Sequence, residues 1–415
     1  MALVALGAHL AFLVALPAEL QRNESSDFLD FYRPVAERLL DGRGLQDTEG
    51  RVAMRYPPGY PAVVAVTVAL SRTLPGDEAF WLQAMVALCV ALSAALLVQL
   101  ARRLTGSGAL ATVAGLGWCF YPPQLWLTKQ PNSEVPFLVL MLGGLLAWSV
   151  AVGPETGVGG LRRAGWASVA GALLGAATLL RPIGLLLAPV LAASHLLLPG
   201  RAAGGRRRWG ASVLVVGVHV LMLAPWILFV HREAGVWIPV SSGGRLSLLD
   251  GLTLGASPDE ASPRLSDGAL ELTRSVEARR SEIRGPGSAA AFLWRYARED
   301  PAPVVELLAV KAARAWYGTE SVRHEAVLLL IQGPALLLAV AGLWRLGRRR
   351  PEVAFGLAAV VGYFWSMTFL VLSILRYMVP AMALLMIPVA WLVLEAAQRL
   401  ALDRVAGTLP PPAEG

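Results

Sequence analysis

Long apolar runs alternate with short Arg-rich turns along most of this chain. Runs of up to about 20 apolar residues, the length that spans a bilayer as a helix, occur at 1–18, 57–74, 79–101, 108–123, 133–152, 166–180, 182–198, 210–230, 326–344, 353–373 and 377–395. Several are short or broken by proline, so the pattern predicts 10 to 12 membrane segments. The first run lacks a basic flank and a small-residue cleavage site, and reads as a retained helix. No repeat of fixed period is present.

Two stretches, 19–56 and 232–325, break the pattern as long polar loops. Within the first, Phe28, Phe31, Tyr32, Val35 and Leu39 fall on one helical face, with Arg33, Glu37, Arg38 and Asp41 around it. That spacing predicts an amphipathic helix over 27–40, lying on the membrane surface and stopped at Gly42 and Gly44. The second loop predicts helices at 266–284 and 302–316, separated by Gly285-Pro286-Gly287. It suits a small cap and is too small and polar for an independent domain.

Arg102–Arg103, Arg162–Arg163, Arg201 with Arg206–Arg208, and Arg345 with Arg348–Arg350 mark the short turns. The positive-inside rule puts them in the cytoplasm. Both long loops, 119–132, the Arg181 turn and Arg376 then face outward. One parity conflict results: if 57–74 and 79–101 both cross, Arg102–Arg103 falls outside. The run 57–74 contains Pro57, Pro58 and Pro61, with Pro75 just beyond, so it is either re-entrant or a later segment is miscounted. The domain reading is a membrane unit over 1–400 and a short cytoplasmic tail at 401–415.

Composition agrees. Of the 415 residues, 56% are apolar and 16% charged, against about 25% charged in an average soluble domain. Mean hydropathy is +0.57. This excludes a disordered chain and a disulfide scaffold, and leaves an all-α polytopic membrane protein. The two long loops hold 21 of the 29 acidic residues. The +7 net charge therefore comes from turns between spans, and no nucleic-acid partner is implied. Cys89 and Cys119 lie inside apolar runs and read as core residues, as do His9, His195 and His219.

Ionisable residues at membrane depth are costly and mark sites by default. Four occur at the ends of apolar runs on the outer side: Lys129, Glu134, Arg181 and Arg376. Snorkelling or capping accounts for any one of them. Four on the face that carries both long loops point to a site. The glycine-rich 157–160 reads as a loop, and no Walker, GxSxG or HExxH motif is present.

Several stretches together resemble a known family. They are Ser25-Ser26-Asp27-Phe28 with Tyr32, then Tyr56-Pro57-Pro58-Gly59-Tyr60-Pro61, Ser133-Glu134, Leu180-Arg181-Pro182, Ile238 through Gly244, Glu299-Asp300-Pro301, Lys311 through Trp316, and Arg376-Tyr377 with Pro380. In order and spacing these are similar to the GT-C membrane glycosyltransferases, in particular the dolichyl-phosphate-mannose-protein mannosyltransferase group (glycosyltransferase family 39-like). Many of that group carry paired acidic residues where this chain has Asp27 with Asp30 three residues on.

The resemblance implies a GT-C-like bundle with two long extracytoplasmic loops, in a cell (inner) membrane. It implies sugar transfer from a polyprenyl-phosphate donor to a lipid, glycan or protein acceptor at the outer face. Asp27 is the implied base and Asp30 the fallback. Asp27 at a helix start also suits an N-cap. Arg376, then Arg181 and Lys129, are the expected phosphate ligands, with Tyr377 adding a hydrogen bond. Glu134, Tyr32, Tyr56, Pro57 and Pro58 complete the expected site. No cofactor is expected; some GT-C enzymes use a divalent metal, and no cluster for one is legible. The alternative is a transporter or flippase of a lipid-linked or anionic substrate, which would favour repeated halves.

Overall fold

The computed structural model describes residues 1–23, 25–153, 159–197, 205–255, 265–320 and 324–407, with backbone only at 205–207 and 401–407. Arg201, residues 157–158 and the tail beyond 407 lie outside the described residues. Among the described residues regular structure is helical, apart from one isolated bridge between Gln46 and Val52.

In chain order the helices are α1 (Ala2–Ala15), α2 (Arg33–Leu40), α3 (Gly59–Thr73), α4 (Glu78–Thr105), α5 (Gly108–Cys119), α6 (Glu134–Val152), α7 (Gly160–Leu180), α8 (Leu187–Leu197) and α9 (Gly205–Ala234). The second long loop contains α10 (Gly244–Leu252), α11 (Asp267–Ala278), α12 (Pro286–Glu299) and α13 (Pro301–Arg314). Then come α14 (Glu325–Arg349), α15 (Pro351–Leu370) and α16 (Leu375–Gly407). Seven helices, α4, α6, α7, α9, α14, α15 and α16, are long and apolar enough to cross a membrane. Three shorter apolar helices join them: Ala2–Ala15, Gly108–Cys119 and Pro182–Leu197.

Contacts between helix ends sort the bundle into two faces. At the first, Arg33 pairs with Glu78 at 3.0 Å, Gln83 donates to the Lys129 carbonyl at 2.9 Å, and Lys311 donates to the Val371 carbonyl at 2.9 Å. At the second, Arg103 lies against Gly153, and Arg345 and Arg349 approach Glu395. The parity conflict resolves on this geometry. The start of α3 sits at the first face, where a Cβ on Gly59 would lie 2.5 Å from the Leu179 carbonyl oxygen. The chain is back at the first face by Glu78. Helix α3 therefore makes no net crossing, and α4 carries Arg102 and Arg103 to the second face. Among the described residues the seven long helices and the three shorter apolar ones make ten candidate membrane segments.

The amphipathic helix is present, with a correction to what covers it. Phe28, Phe31, Tyr32 and Val35 are buried, and α2 packs on α3. Protein, not lipid alone, takes up the apolar face.

The second loop also departs from expectation. Gly285-Pro286-Gly287 is not a gap between the two expected helices: Pro286 opens an additional one, α12, since a first-turn proline gives up only an amide that would have no partner there. The helix predicted at 266–284 ends at Ala278. This cap has its own apolar core, with Leu249, Leu272, Val276, Phe292 and Leu307 buried together. Two buried cations fasten it to the bundle. Lys311 reaches the Gly251 and Val371 carbonyls, and Arg314 pairs with Glu325 at 2.8 Å.

The non-crossing of α3 is open to test by thiol labelling from one side. Thr48→Cys and Leu74→Cys should react from the same side, and Arg102→Cys from the opposite one. If Leu74→Cys labels together with Arg102→Cys, α3 crosses.

Candidate functional site

The chain opens its first loop helix with a widened turn over Phe28–Tyr32, of the i→i+5 kind that recurs at functional sites. The capping role falls to Ser25, whose hydroxyl and carbonyl oxygens both accept from the Phe28 amide, at 3.3 and 3.0 Å. Asp27 makes no capping bond. Its Oδ1 instead accepts the Tyr56 hydroxyl at 2.6 Å and lies 3.7 Å from Arg55 Nη2. Among the described residues Oδ2 takes no hydrogen bond, and the side chain is 30% exposed. The capping reading of Asp27 is thereby replaced: it is a carboxylate with one oxygen held and one open.

Asp30 lies within the wide turn and is exposed. Pro57 and Pro58 turn the chain from Tyr56 into α3. Tyr56 and Tyr32 lie 5.2 Å apart, and Tyr32 stands edge-on to Tyr60 at 4.8 Å. Burial, and then the charge of Asp27, make the Tyr56 hydroxyl harder to ionise than usual, so it stays a donor.

Glu134, Arg181 and Arg376 form the second half. Each sits where a helix starts or stops: Glu134 is the first residue of α6, Arg181 the extended residue ending α7, and Arg376 the second residue of α16. Glu134 is 1% exposed. Its Oε1 accepts Arg181 Nη1 at 2.5 Å and also Arg376 Nε. Arg181 reaches Ser133 Oγ at 3.0 Å and lies over the Tyr377 ring at 5.3 Å. Arg376 turns a second nitrogen outward to Glu320 Oε1 at 3.2 Å.

Tyr32 joins the halves. Burial raises its pKa most; the charge of Arg181 opposes this, and those of Asp27 and Glu134 add to it. Of the expected site residues, Asp27, Tyr32 and Tyr56 are thus brought together, as are Glu134, Arg181, Arg376 and Tyr377. Lys129 is not part of this ion-pair group. Its ammonium lies 3.9 Å from the Trp126 ring centroid, and burial lowers its pKa.

Two partners escaped the sequence reading. Arg55 and Glu320 lie in polar loops, where a single charge carries no signal.

The two carboxylates on Arg376 differ in strength of hold. Removing one partner of a buried pair costs about 3–5 kcal/mol, which keeps Glu134 in place. Glu320 is 64% exposed, and exposed pairs contribute only about 0–1 kcal/mol. Glu134 with its two arginines carries +1; Glu320 brings the group to zero. No cluster of three metal-ligating side chains is found among the described residues.

No family model and no curated protein matches this chain. Solved structures do. The oligosaccharyltransferase of Archaeoglobus fulgidus in its apo form is 12% identical at a TM-score of 0.58, over 99% of this chain and 53% of that one. The same enzyme, AglB, with an inhibitory peptide and a dolichol-phosphate bound is 13% identical at 0.55, over 98% and 52%. ArnT from Cupriavidus metallidurans, bound to undecaprenyl phosphate, is 16% identical at 0.46, over 99% and 80%. The chain spans about half the length of the archaeal enzymes it matches. The chain shares the all-α fold of the archaeal enzymes, in agreement with the all-α membrane bundle expected from the sequence.

The buried triad gives a stability test. Glu134→Gln leaves two arginines facing one another with only the exposed Glu320 as counter-charge, and should cost about 3–5 kcal/mol. Thermal unfolding in detergent measures it; a melting temperature within a degree of wild type would contradict the pairing.

Proposed function

We propose that this protein is a glycosyltransferase that moves a sugar from a polyprenyl-phosphate-linked donor to an acceptor hydroxyl. The observation that carries the reading is the pairing of two centres on one face. A carboxylate with an open oxygen, Asp27, is linked through Tyr56 and Tyr32 to the group in which two arginines are held by a single buried glutamate, Glu134. The shared fold supports it, since AglB has been seen with a dolichol-phosphate bound.

In this reading Asp27 Oδ2 takes the proton from the acceptor hydroxyl. The freed oxygen forms a bond to the anomeric carbon. The bond from that carbon to the phosphate oxygen breaks on the opposite side, inverting the centre. The lipid phosphate leaves with the electron pair. The outward edges of Arg181 and Arg376 meet the charge that develops there, and the planar fork of a guanidinium suits phosphate oxygens. Tyr56 and Arg55 hold Asp27 Oδ1, so Oδ2 is the atom offered to the acceptor. Membrane lipid around the helices would receive the polyprenyl tail.

Orientation follows the same logic. The Arg-rich turns at 102–103, 345 and 348–350 belong to the second face, and both long loops to the first. The positive-inside rule then supports an extracytoplasmic site.

Asp27→Asn tests the base. Ser25 caps the helix, so the variant should melt within a degree or two of wild type and still bind polyprenyl phosphate. Its transfer rate should fall about 10²–10⁴-fold, the contribution of a positioned general base. Transfer is followed with a labelled polyprenyl-phosphate sugar in detergent; near-wild-type turnover would remove Asp27 from this role.

Arg376→Lys tests the phosphate ligand. An ammonium keeps the charge and loses the fork. Losing a charge-assisted hydrogen bond costs about 1.5–3 kcal/mol, so lipid-phosphate affinity should drop by at least tenfold. Unchanged affinity in Arg376→Lys and Arg376→Ala would place the phosphate elsewhere.

A further inference from the structure

Arg376 has two carboxylate partners of opposite character. Glu134 is sealed in the bundle, on a helix that cannot move without opening the core. Glu320 comes from the stretch that leads from the cap into α14, and most of its side chain is in solvent. It takes the outward nitrogen of Arg376, the atom that a ligand approaching from the loop side would meet first.

The approach of Glu320 is built into the backbone. Gly318 lies so close to the bundle that a Cβ there would be 2.6 Å from the Ser373 carbonyl oxygen. Its own carbonyl accepts the Leu375 amide at 2.9 Å, one residue before Arg376. Behind it, Arg314 donates to the Thr319 carbonyl at 3.1 Å, and the Thr319 amide donates to Glu325 at 3.1 Å. Residues 318 and 319 are therefore fastened on both sides, and Glu320 follows directly over the guanidinium.

The charge balance makes this carboxylate an obstacle to an anion. With Glu320 in place the group of Arg181, Arg376, Glu134 and Glu320 is neutral, and a phosphate gains little there. With Glu320 withdrawn it carries +1 and an open guanidinium edge. Only the exposed partner can be exchanged cheaply.

We propose that Glu320 is a displaceable stand-in for phosphate: it holds the outward edge of Arg376 until the phosphate of a polyprenyl carrier takes its place, and so sets the affinity for that lipid. The proposal rests on the lipid-phosphate reading above. The exchange is a swap of one anion for another on the same guanidinium, with no covalent change. It also frees the Glu320 side chain, which follows directly after the fastened pair 318–319, so donor binding would be felt in the second loop.

The test measures binding of polyprenyl monophosphate to the purified full chain in detergent, for wild type, Glu320→Gln, Arg376→Ala and the double variant. Glu320→Gln removes a competing charge at an exposed position and should fold normally, with an unchanged melting temperature as the control. Its lipid affinity should rise about 3- to 10-fold. In the Arg376→Ala background the same change should have no effect, because the two act through one guanidinium. Inorganic phosphate at millimolar concentration should not displace the lipid, whose tail contributes to binding. Measurable wild-type binding with equal or weaker affinity in Glu320→Gln would overturn the stand-in role alone. Absence of saturable binding in every variant would overturn the lipid-phosphate reading and this inference with it. Equal competition by inorganic phosphate would overturn the assignment to a lipid carrier.

Discussion

Two arginines share one buried carboxylate, and the arrangement of the first face depends on that constraint. A lone Glu134 at 1% exposure would not be tolerated as a charge. A lone Arg181 or Arg376 at a helix end would extend toward water. Together they fix the start of α6, the break after α7 and the start of α16 at one point. The pairing is a geometrical requirement rather than a large source of stability, since paired buried ions return little more than their desolvation costs. Its value lies in placing two guanidinium edges where apolar helices alone would leave only lipid-like surface.

Asp27, the proposed base, is held by different means. Asp27 belongs to a loop, and loops at a membrane face have few fixed neighbours. Here the two long loops brace one another. Ser242 donates through its amide and its hydroxyl to the Met54 carbonyl. Ser241 Oγ and the Gly243 amide both donate to the Arg55 carbonyl. These bonds fix the two residues just before Tyr56, from which Arg55 and Tyr56 reach Asp27. A Cβ on Gly243 would sit 2.8 Å from the Arg55 carbonyl oxygen, so glycine is what permits the close approach. Trp226 of α9 anchors the same segment through the Val240 carbonyl at 2.7 Å.

Much of this was legible in the sequence because membrane chains spend charge sparingly. Glu134, Arg181 and Arg376 stood out as ionisable residues at the ends of apolar runs, and Asp27 as the polar start of an apolar helical face. Their pairing was not legible: Glu134 and Arg376 are 242 positions apart, and only the bundle's closure joins them. Arg55 and Glu320 were invisible for the opposite reason, being charges among charges. The cap's core was missed because Leu249, Leu272, Phe292 and Leu307 are scattered through a polar stretch. Yet Ala289, Phe292, Leu293 and Tyr296 repeat at helical spacing, and the break read into Gly285-Pro286-Gly287 masked it. Helix α3 shows a limit of hydropathy alone. Its apolar run is nearly long enough to cross, yet the contact of Gly59 with Leu179 and the pairing of Arg33 with Glu78 place both of its ends at one face.

The distance between Asp27 and the arginines therefore follows from aromatic packing. Tyr32 is buried between Tyr56 and Tyr60, with Phe31 closing the group at 5.3 Å from Tyr56. Rings are stiff, with two side-chain torsions each, and a well-packed cluster loses contacts on either compression or separation. Gly59 lies between Tyr56 and Tyr60 in the chain, and its approach to Leu179 sets α3 against the end of α7, two residues before Arg181. The same short segment thus positions Tyr56 on Asp27 and α3 on the arginine turn. A rotation that moved Asp27 toward or away from Arg181 would have to separate these rings or open the Gly59 contact. Lipid thickness and loop length leave that distance unchanged; the edge-on ring cluster and one glycine govern it.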